Sequence, residues 1–320
     1  MALGVDVGSG MTQWMSSKGV QGKMPSLVAE WDPATMSGTL DNPYLVKVGH
    51  IGTTFLVGSK VPLVTTEVAD TLRDDWSGSD PWLALFYAAL DQSQVLDGAG
   101  EIHVAVGVPQ ALYREMGRYL SDRLTGHHRF AIDGREYGVD LKVRVYPQAS
   151  SAMASVPSLS DVEMAGLIDV GTYTTGLSVM QHVDGEFIIN HTMSGGIARG
   201  TSVLARSLQA YLDTHHQMRM DLYRVYPLLD KKVVKIRGKD VDLAHAVDSA
   251  CVALAEDIVE AADRAFRGGS ELEVIALVGG GARYVEHKLK KAYPQLHMSK
   301  NPEWAVVEGL LAYAEAAEAS

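Results

Sequence analysis

The sequence predicts an α/β protein assembled twice on one strand–turn–strand core. Three observations carry this expectation. Strand, turn and helix signals alternate along all 320 residues, the mark of mixed α/β architecture. One motif occurs twice, as Leu3-Gly4-Val5-Asp6-Val7-Gly8-Ser9-Gly10-Met11-Thr12-Gln13 and as Leu167-Ile168-Asp169-Val170-Gly171-Thr172-Tyr173-Thr174-Thr175-Gly176-Leu177. Three consecutive glycines, Gly279, Gly280 and Gly281, follow a third apolar run at 274–278.

Each copy of the repeated motif reads as an apolar strand, a tight turn and a second strand. Gly8 and Gly171 are expected to adopt torsions closed to other residues and to let a ligand approach the main chain. The turn N–H groups and hydroxyls, from Ser9, Gly10 and Met11 in one copy and Thr172, Tyr173 and Thr174 in the other, can face a phosphate as backbone nests do. Asp6 and Asp169 stand where the strands end. Two such loops would grip a polyphosphate from both sides and present two carboxylates to its metal ion. Asp-Gly turns are also ordinary hairpin punctuation, and Asp133-Gly134 and Asp184-Gly185 are read as only that. It is the doubling, with a strand before and hydroxylated residues after, that favours phosphate.

The first elements are strands at 5–7 and 14–16, then a hairpin of 47–50 with 54–57 turning near Gly52. Residues 81–90 read as a helix with Pro81 in its first turn. A strand at 102–108 ends at Pro109. A helix at 111–124 places Leu112, Met116, Tyr119, Leu120 and Arg123 at helical spacing, with Gly126 as its stop. Strands at 130–132 and 137–139 flank Asp133-Gly134, and another at 143–146 runs into Pro147-Gln148. The second half holds strands at 165–168, 176–180 and 186–190, and a helix at 201–212 after Gly195-Gly196. A long helix at 243–266, a strand at 274–278 and helices at 285–292 and 303–317 complete it. A boundary is expected near 156–163, where Pro157, Ser158, Ser160 and Asp161 mark a loop. Segments 24–94 and 203–268 fall outside the two cores and read as inserted subdomains.

Composition narrows the function classes. The formal net charge of -11 argues against broad nucleic-acid binding, which needs clustered Lys and Arg. The local strip of Lys231, Lys232, Lys235, Arg237 and Lys239 is read as a solvated hairpin face. Cys251 is the single cysteine, so no disulfide framework is expected. No signal peptide is read, and the longest apolar run, 82–90, falls far short of the ~20 residues of a membrane span. A cytoplasmic protein without membrane contact is expected. His127-His128 and His215-His216 lack a third ligand at metal spacing and read as solvated. The chain carries neither G-x-x-x-x-G-K-[ST] nor a G-x-G-x-x-G after its first strand, which argues against P-loop and dinucleotide folds.

The ordered set from Asp6 to Met11 and Thr12, Pro147-Gln148, Asp169 to Thr175, Gly195-Gly196 and Gly279-Gly280-Gly281 resembles the phosphate 1, connect 1, phosphate 2, connect 2 and adenosine motifs of the actin, Hsp70 and sugar-kinase superfamily. Met24-Pro25-Ser26, Gly107-Val108-Pro109, Val145-Tyr146-Pro147-Gln148 and Asn301-Pro302-Glu303-Trp304-Ala305 with Gly309 are similar to the ParM/StbA-type actin-like ATPases. The resemblance implies an actin-like fold of two ribonuclease-H-like domains with a nucleotide cleft between them. Domain I would span 1–160, with the closing helix 303–320 packed back on it, and domain II 161–302. ATP or ADP with Mg²⁺ would occupy the cleft. Self-association into filaments and a DNA-bound adaptor protein for plasmid segregation are also implied.

The same resemblance implies site roles. Asp6, Gly8, Ser9, Gly10 and Met11 match the first phosphate loop, and Gly171, Thr172, Tyr173 and Thr174 the second. Gly195 and Gly196 match the second connection, and Gly279, Gly280 and Gly281 the adenosine loop. Asp6 and Asp169 match the acids that hold Mg²⁺, often through its waters. Gln148 matches the residue that orients the attacking water, so Gln148 and Asp169 are the expected catalytic pair. Actin carries a lysine where this chain has Gln13. Gln13 is expected either to give the phosphates a neutral hydrogen bond, roughly half as strong as a charged one, or to be a solvated hairpin side chain. Phosphoryl transfer needs positioning and charge stabilisation more than covalent work, so slow hydrolysis is expected. A small-molecule kinase and a nucleotide-bound scaffold on the same fold are the alternatives. If filaments form, the segment 70–80 around Trp76 is a candidate exposed contact.

Overall fold

A computed structural model describes residues 1–36, 38, 40–97, 100–159 and 162–319. Ser160 and Asp161, part of the expected boundary loop, lie outside the described residues, as does Ser320 of the expected closing helix. The chain divides into two compact units, Met1–Pro157 with Trp304–Ser320, and Ser158–Glu303.

The first unit opens with strands β1 (Ala2–Val7), β2 (Met11–Ser16), β3 (Gln21–Pro25) and β4 (Val28–Glu30), the short helix α1 (Pro33–Met36), and strands β5 (Leu45–Val48) and β6 (Thr54–Val57). Helix α2 (Asp80–Gln92), β7 (Glu101–Val108), α3 (Tyr113–Leu124), β8 (Gly126–Ile132), β9 (Arg135–Pro147) and α4 (Gln148–Met153) follow. The second unit contains β10 (Met164–Val170), β11 (Thr175–Val183), β12 (Glu186–Ile189), β13 (Gly195–Ile197), α5 (Thr201–His216), α6 (Leu222–Lys231), β14 (Val233–Ile236) and β15 (Lys239–Asp242). It continues through α7 (Ala244–Ala265), β16 (Val274–Val278), α8 (Ala282–Ala292) and β17 (Leu296–Met298). The last helix, α9 (Ala305–Ala319), belongs to the first unit.

The sequence repeat is a repeat of topology. In the first unit β3-β2-β1-β7-β9 run side by side, and in the second β12-β11-β10-β16-β17 do the same. In both sets the first three strands pair antiparallel and the next two join in parallel. The parallel centre explains the apolar runs: β1 is buried at all six positions and β10 at six of seven, as strands covered on both faces must be.

The first sheet continues past β9 through β8-β5-β6-β4 to nine strands. The expected subdomain at 24–94 therefore does not stand alone. Its β5 pairs with β8, and α2 lies in the main core with Trp82, Phe86 and Leu90 fully buried. The apolar run 82–90 is a helix covered on every side, capped by the Ser79 side chain accepting from Trp82 N. The segment 203–268 is likewise no separate body. Leu204, Leu228, Val234 and Leu254 share one core with Leu277 of β16. Only the β14–β15 hairpin stands off the main sheet.

Other differences are local. The strands expected at 137–139 and 143–146 are one 13-residue strand, β9, alternating exposed and buried along its length. Tyr119, expected on the inner face of α3, is 47% exposed, because that helix buries only Gly117, Leu120 and Leu124. Helix α5 runs to His216 rather than 212, ending on Gln217 in the left-handed region. Trp76 is 3% exposed and packs in the first core. Around it in the segment 70–80, Asp70, Arg73, Asp74 and Asp75 are exposed.

Candidate functional site

Two loops hold equivalent positions in the two units. In the first, β1 turns into β2 through Gly8, Ser9 and Gly10, and Gly8 N donates to Met11 O at 3.1 Å. In the second, β10 turns into β11 through 171–174, and Gly171 N donates to Thr174 O at 3.0 Å. Neither glycine uses a left-handed torsion. The expectation that they supply unusual torsions is overturned, and the reason for glycine is space. A Cβ would lie 2.9 Å from Met11 O at Gly8 and 3.1 Å from Thr174 O at Gly171, so the turn would have to give way in either case.

Each loop is braced by groups that leave the turn little freedom. The Ser26 hydroxyl donates to Gly8 O at 2.6 Å, and Ser26 N donates to Gly10 O at 3.0 Å. Thr71 Oγ1 donates to Ser9 O at 2.6 Å, and Trp82 Nε1 to Val7 O at 3.2 Å. In the second unit Thr201 N and Ser202 N, opening α5, donate to Gly171 O and Thr172 O at 3.0 and 2.8 Å. Gly200 permits this approach, since a Cβ there would sit 2.6 Å from both carbonyls. Thr175 Oγ1 donates to Arg199 O at 2.6 Å. Thr71, Trp82 and Gly200 were not anticipated. No local pattern marks them, because each acts on a loop distant in sequence.

Asp6 is the penultimate residue of β1 and is only 9% exposed. Burial lifts its carboxyl to about 6, and the hydrogen bond from Gln148 opposes that rise. Gln148 Nε2 donates to Asp6 Oδ1 at 2.6 Å. The contact is set by three close approaches. Gly107 on β7 would carry a Cβ 3.0 Å from Gln148 Cγ and 3.3 Å from Asp6 Oδ1. Gly309 on α9 lies so close to Ser151 O on α4 that no side chain fits between them. Gly4 on β1 is equally near α9, where a Cβ would be 2.6 Å from Leu311 N. Gln13 stands directly opposite Asp6 in the β1–β2 register and is 6% exposed. The solvated alternative for Gln13 is thereby excluded.

Asp169 occupies the matching place on β10, 7% exposed, between Gly176 of β11 and Val278 of β16. Gly279 follows β16 with φ +89°, and a Cβ there would strike Val170 O and come within 2.5 Å of Asp169 Oδ1. Gly281 N donates to Val170 O at 2.9 Å, and Gly279 N to Pro302 O at 2.7 Å. The glycine run is thus folded against the second loop. Gly280 has open space where a Cβ would be. Gly195 and Gly196 lie on β13, paired with Leu177 and Gly176 beside the same loop.

The remaining candidates are engaged with near neighbours. His127 Nδ1 lies 3.0 Å from Asp140, and His215 stacks on Tyr211. Among the described residues no group of three or more His, Cys, Asp or Glu gathers as for a metal ion. Lys232 and Lys235 of the basic strip pair with Asp248 and Asp240. No helix among the described residues is long and apolar enough to cross a membrane.

Two sheets of one strand order, each ending its first strand in a buried aspartate before a braced glycine turn, define an actin-like fold. Residues 4–150 match the family model for the actin like proteins N terminal domain, and residues 167–291 match that for the archaeal actin homologue MreB-like C-terminal domain. Both halves of the chain thus match models of actin-like domains, and its fold is actin-like. Its fold is similar to that of ParM from a 15-stranded Clostridium botulinum filament, with a TM-score of 0.82 at 20% identity over 98% of this chain and 99% of that one. An archaeal actin homolog in complex with ADP superposes with a TM-score of 0.78 at 20% identity, covering 100% and 99% of the two chains. Bacillus thuringiensis ParM with ATP gives 0.70 at 16% identity, covering 99% of each. Among curated proteins, no sequence matches this chain.

Proposed function

We propose that the protein binds Mg·ATP between domain I, residues 1–160 with 303–320, and domain II, residues 161–302, hydrolyses it slowly, and polymerises into dynamic filaments. Plasmid DNA segregation in the cytoplasm, through a DNA-bound adaptor protein, is the role we assign to the filaments. The observation that carries the reading is the pair of equivalent loops, each with a buried aspartate at the end of its leading strand. Similarity to actin homologues described with ADP, with ATP and in a filament supports it.

The roles follow from the chemistry of the groups. The N–H groups and hydroxyls of the loops at 8–11 and 171–174 bind the phosphates. Gly279, Gly280 and Gly281 give the nucleoside close access to the backbone, with Gly195 and Gly196 beside them. Asp6 and Asp169 are hard oxygen donors, and among the described residues no third carboxylate or histidine gathers around either. Such a donor set fits Mg²⁺, which keeps several waters and takes phosphate oxygens. The ion supplies charge neutralisation for the phosphoryl group. Gln148, giving its N–H to Asp6, keeps its carbonyl oxygen to accept a hydrogen bond from the attacking water.

Light scattering and phosphate release, followed together, test the reading. ATP or a slowly hydrolysed analogue should raise scattering above a critical protein concentration, and ADP should raise that concentration. Phosphorylation of a small acceptor, with no scattering change under any nucleotide, would move the assignment to a kinase.

A further inference from the structure

A cavity of about 520 Å³ opens in the first unit, formed by the β5–β6 turn, α2, the end of α3 and β8. This volume lies in the range of small-molecule sites. Its position owes nothing to the loops that carry the proposed nucleotide site. In a chain of net charge -11, the cavity is lined by Arg123, Arg129, His50 and His127, and by no carboxylate among the described residues.

The lining divides into a fixed wall and available donors. Tyr87 donates its hydroxyl to His128 Nδ1 at 3.0 Å, and His128 Nε2 donates to Leu124 O at 2.9 Å. Burial pushes the His128 pKa down, so this imidazole is a neutral, fully bonded wall. Tyr87 stacks on Phe130 at 4.3 Å, and Leu83 adds an aliphatic patch. Arg123 is held by Asp80 at 3.0 Å, which also lies 3.5 Å from His50. His127 faces Asp140 at 3.0 Å. Arg129 has no ion-pair partner among the described residues. Asp80 and Asp140 hold the other donors in place around the opening while Arg129 remains uncommitted.

We propose that this cavity is a binding site for a small phosphorylated molecule. Arg129 would take the phosphate in a two-pronged contact, with Arg123 and His127 completing the donor set. Guanidinium groups match phosphate oxygens in this way. Leu83 and the Tyr87–His128 wall would meet the uncharged part of the molecule.

Histidine ring-proton NMR on the full chain, kept saturated with ADP and Mg²⁺, tests this. The His50, His127 and His128 signals are assigned from His50→Gln, His127→Gln and His128→Gln variants. Titration with pyrophosphate should shift the His127 and His50 signals saturably, whereas chloride at matched ionic strength should not. Arg129→Ala should weaken the apparent affinity roughly tenfold or more, as loss of a charged hydrogen bond does, and Arg129→Glu should abolish it. Arg129 is exposed and unpaired, so both variants are expected to keep the wild-type melting temperature. Equal shifts with chloride, no shift in the wild type, or unchanged affinity in both Arg129 variants would overturn the proposal. Because the nucleotide is already bound in every arm, failure here leaves the proposed ATPase reading untouched.

Discussion

Gln148, the first residue of α4, donates its side-chain amide to Asp6 at the end of β1 over 2.6 Å, across 142 residues of sequence. The contact joins the residue proposed to orient water to the one proposed to face the metal. It also fixes the amide. With N–H committed to a carboxylate, only the carbonyl oxygen remains to accept, and an acceptor is what an attacking water needs.

Gln148→Ala should therefore slow phosphate release on the order of 10²-fold, the usual cost of a lost positioned polar group, and leave ATP affinity within a few-fold. The same variant removes the hydrogen bond that holds the Asp6 pKa down, so Asp6 should titrate above about 6. Single-turnover hydrolysis and nucleotide titration separate the two effects. An unchanged hydrolysis rate would remove Gln148 from the chemistry.

Asp6 makes stability depend on pH in a stated direction. Its folded pKa is raised from 3.8 to about 6. The folded state therefore binds the proton more tightly, and this contribution is complete below about pH 4 and lost as pH rises through 6. A rise of that size corresponds to about 3 kcal/mol. In urea unfolding of nucleotide-free protein, wild type should lose on that order relative to Asp6→Asn between pH 4 and 7. A difference that stays flat across the range would contradict the assignment.

The glycines after β16 should differ sharply. Gly279→Ala places a methyl against Val170 O and Asp169 in a left-handed torsion, whereas Gly280→Ala meets nothing within 4 Å. Strain of this kind costs about 1–3 kcal/mol, so Gly279→Ala should lower the melting temperature and Gly280→Ala should leave it within a degree or two. Calorimetry of the pair decides this, and equal melting temperatures would contradict it.

Asp169→Ala should slow hydrolysis without abolishing assembly, provided nucleotide still binds. Filaments formed with ATP should then outlast those of wild type after dilution. Disassembly followed by light scattering gives the answer. Wild-type decay in a variant that hydrolyses slowly would separate filament lifetime from hydrolysis.

Much of this was legible in the chain because it is local. β1 and β10 announce themselves as apolar runs, and the turns that follow carry glycine and hydroxyls in order. Asp6 and Asp169 are marked by their place between them. Parallel strands covered on both faces leave this signature without help from distant residues. The doubled strand–turn–strand core, the two acids and the glycine turn after β16 were thus readable from the chain.

The tertiary structure decided the rest, because contacts across the chain have no period to read. It buried Gln13 opposite Asp6. It drew segment 24–94 into the main sheet by pairing β5 with β8. It gave Gly8 and Gly171 their reason in space rather than torsion. And it brought Gln148 to Asp6 only because glycines at 4, 107 and 309 let β1, β7, α4 and α9 approach to backbone contact, where any side chain would hold them apart.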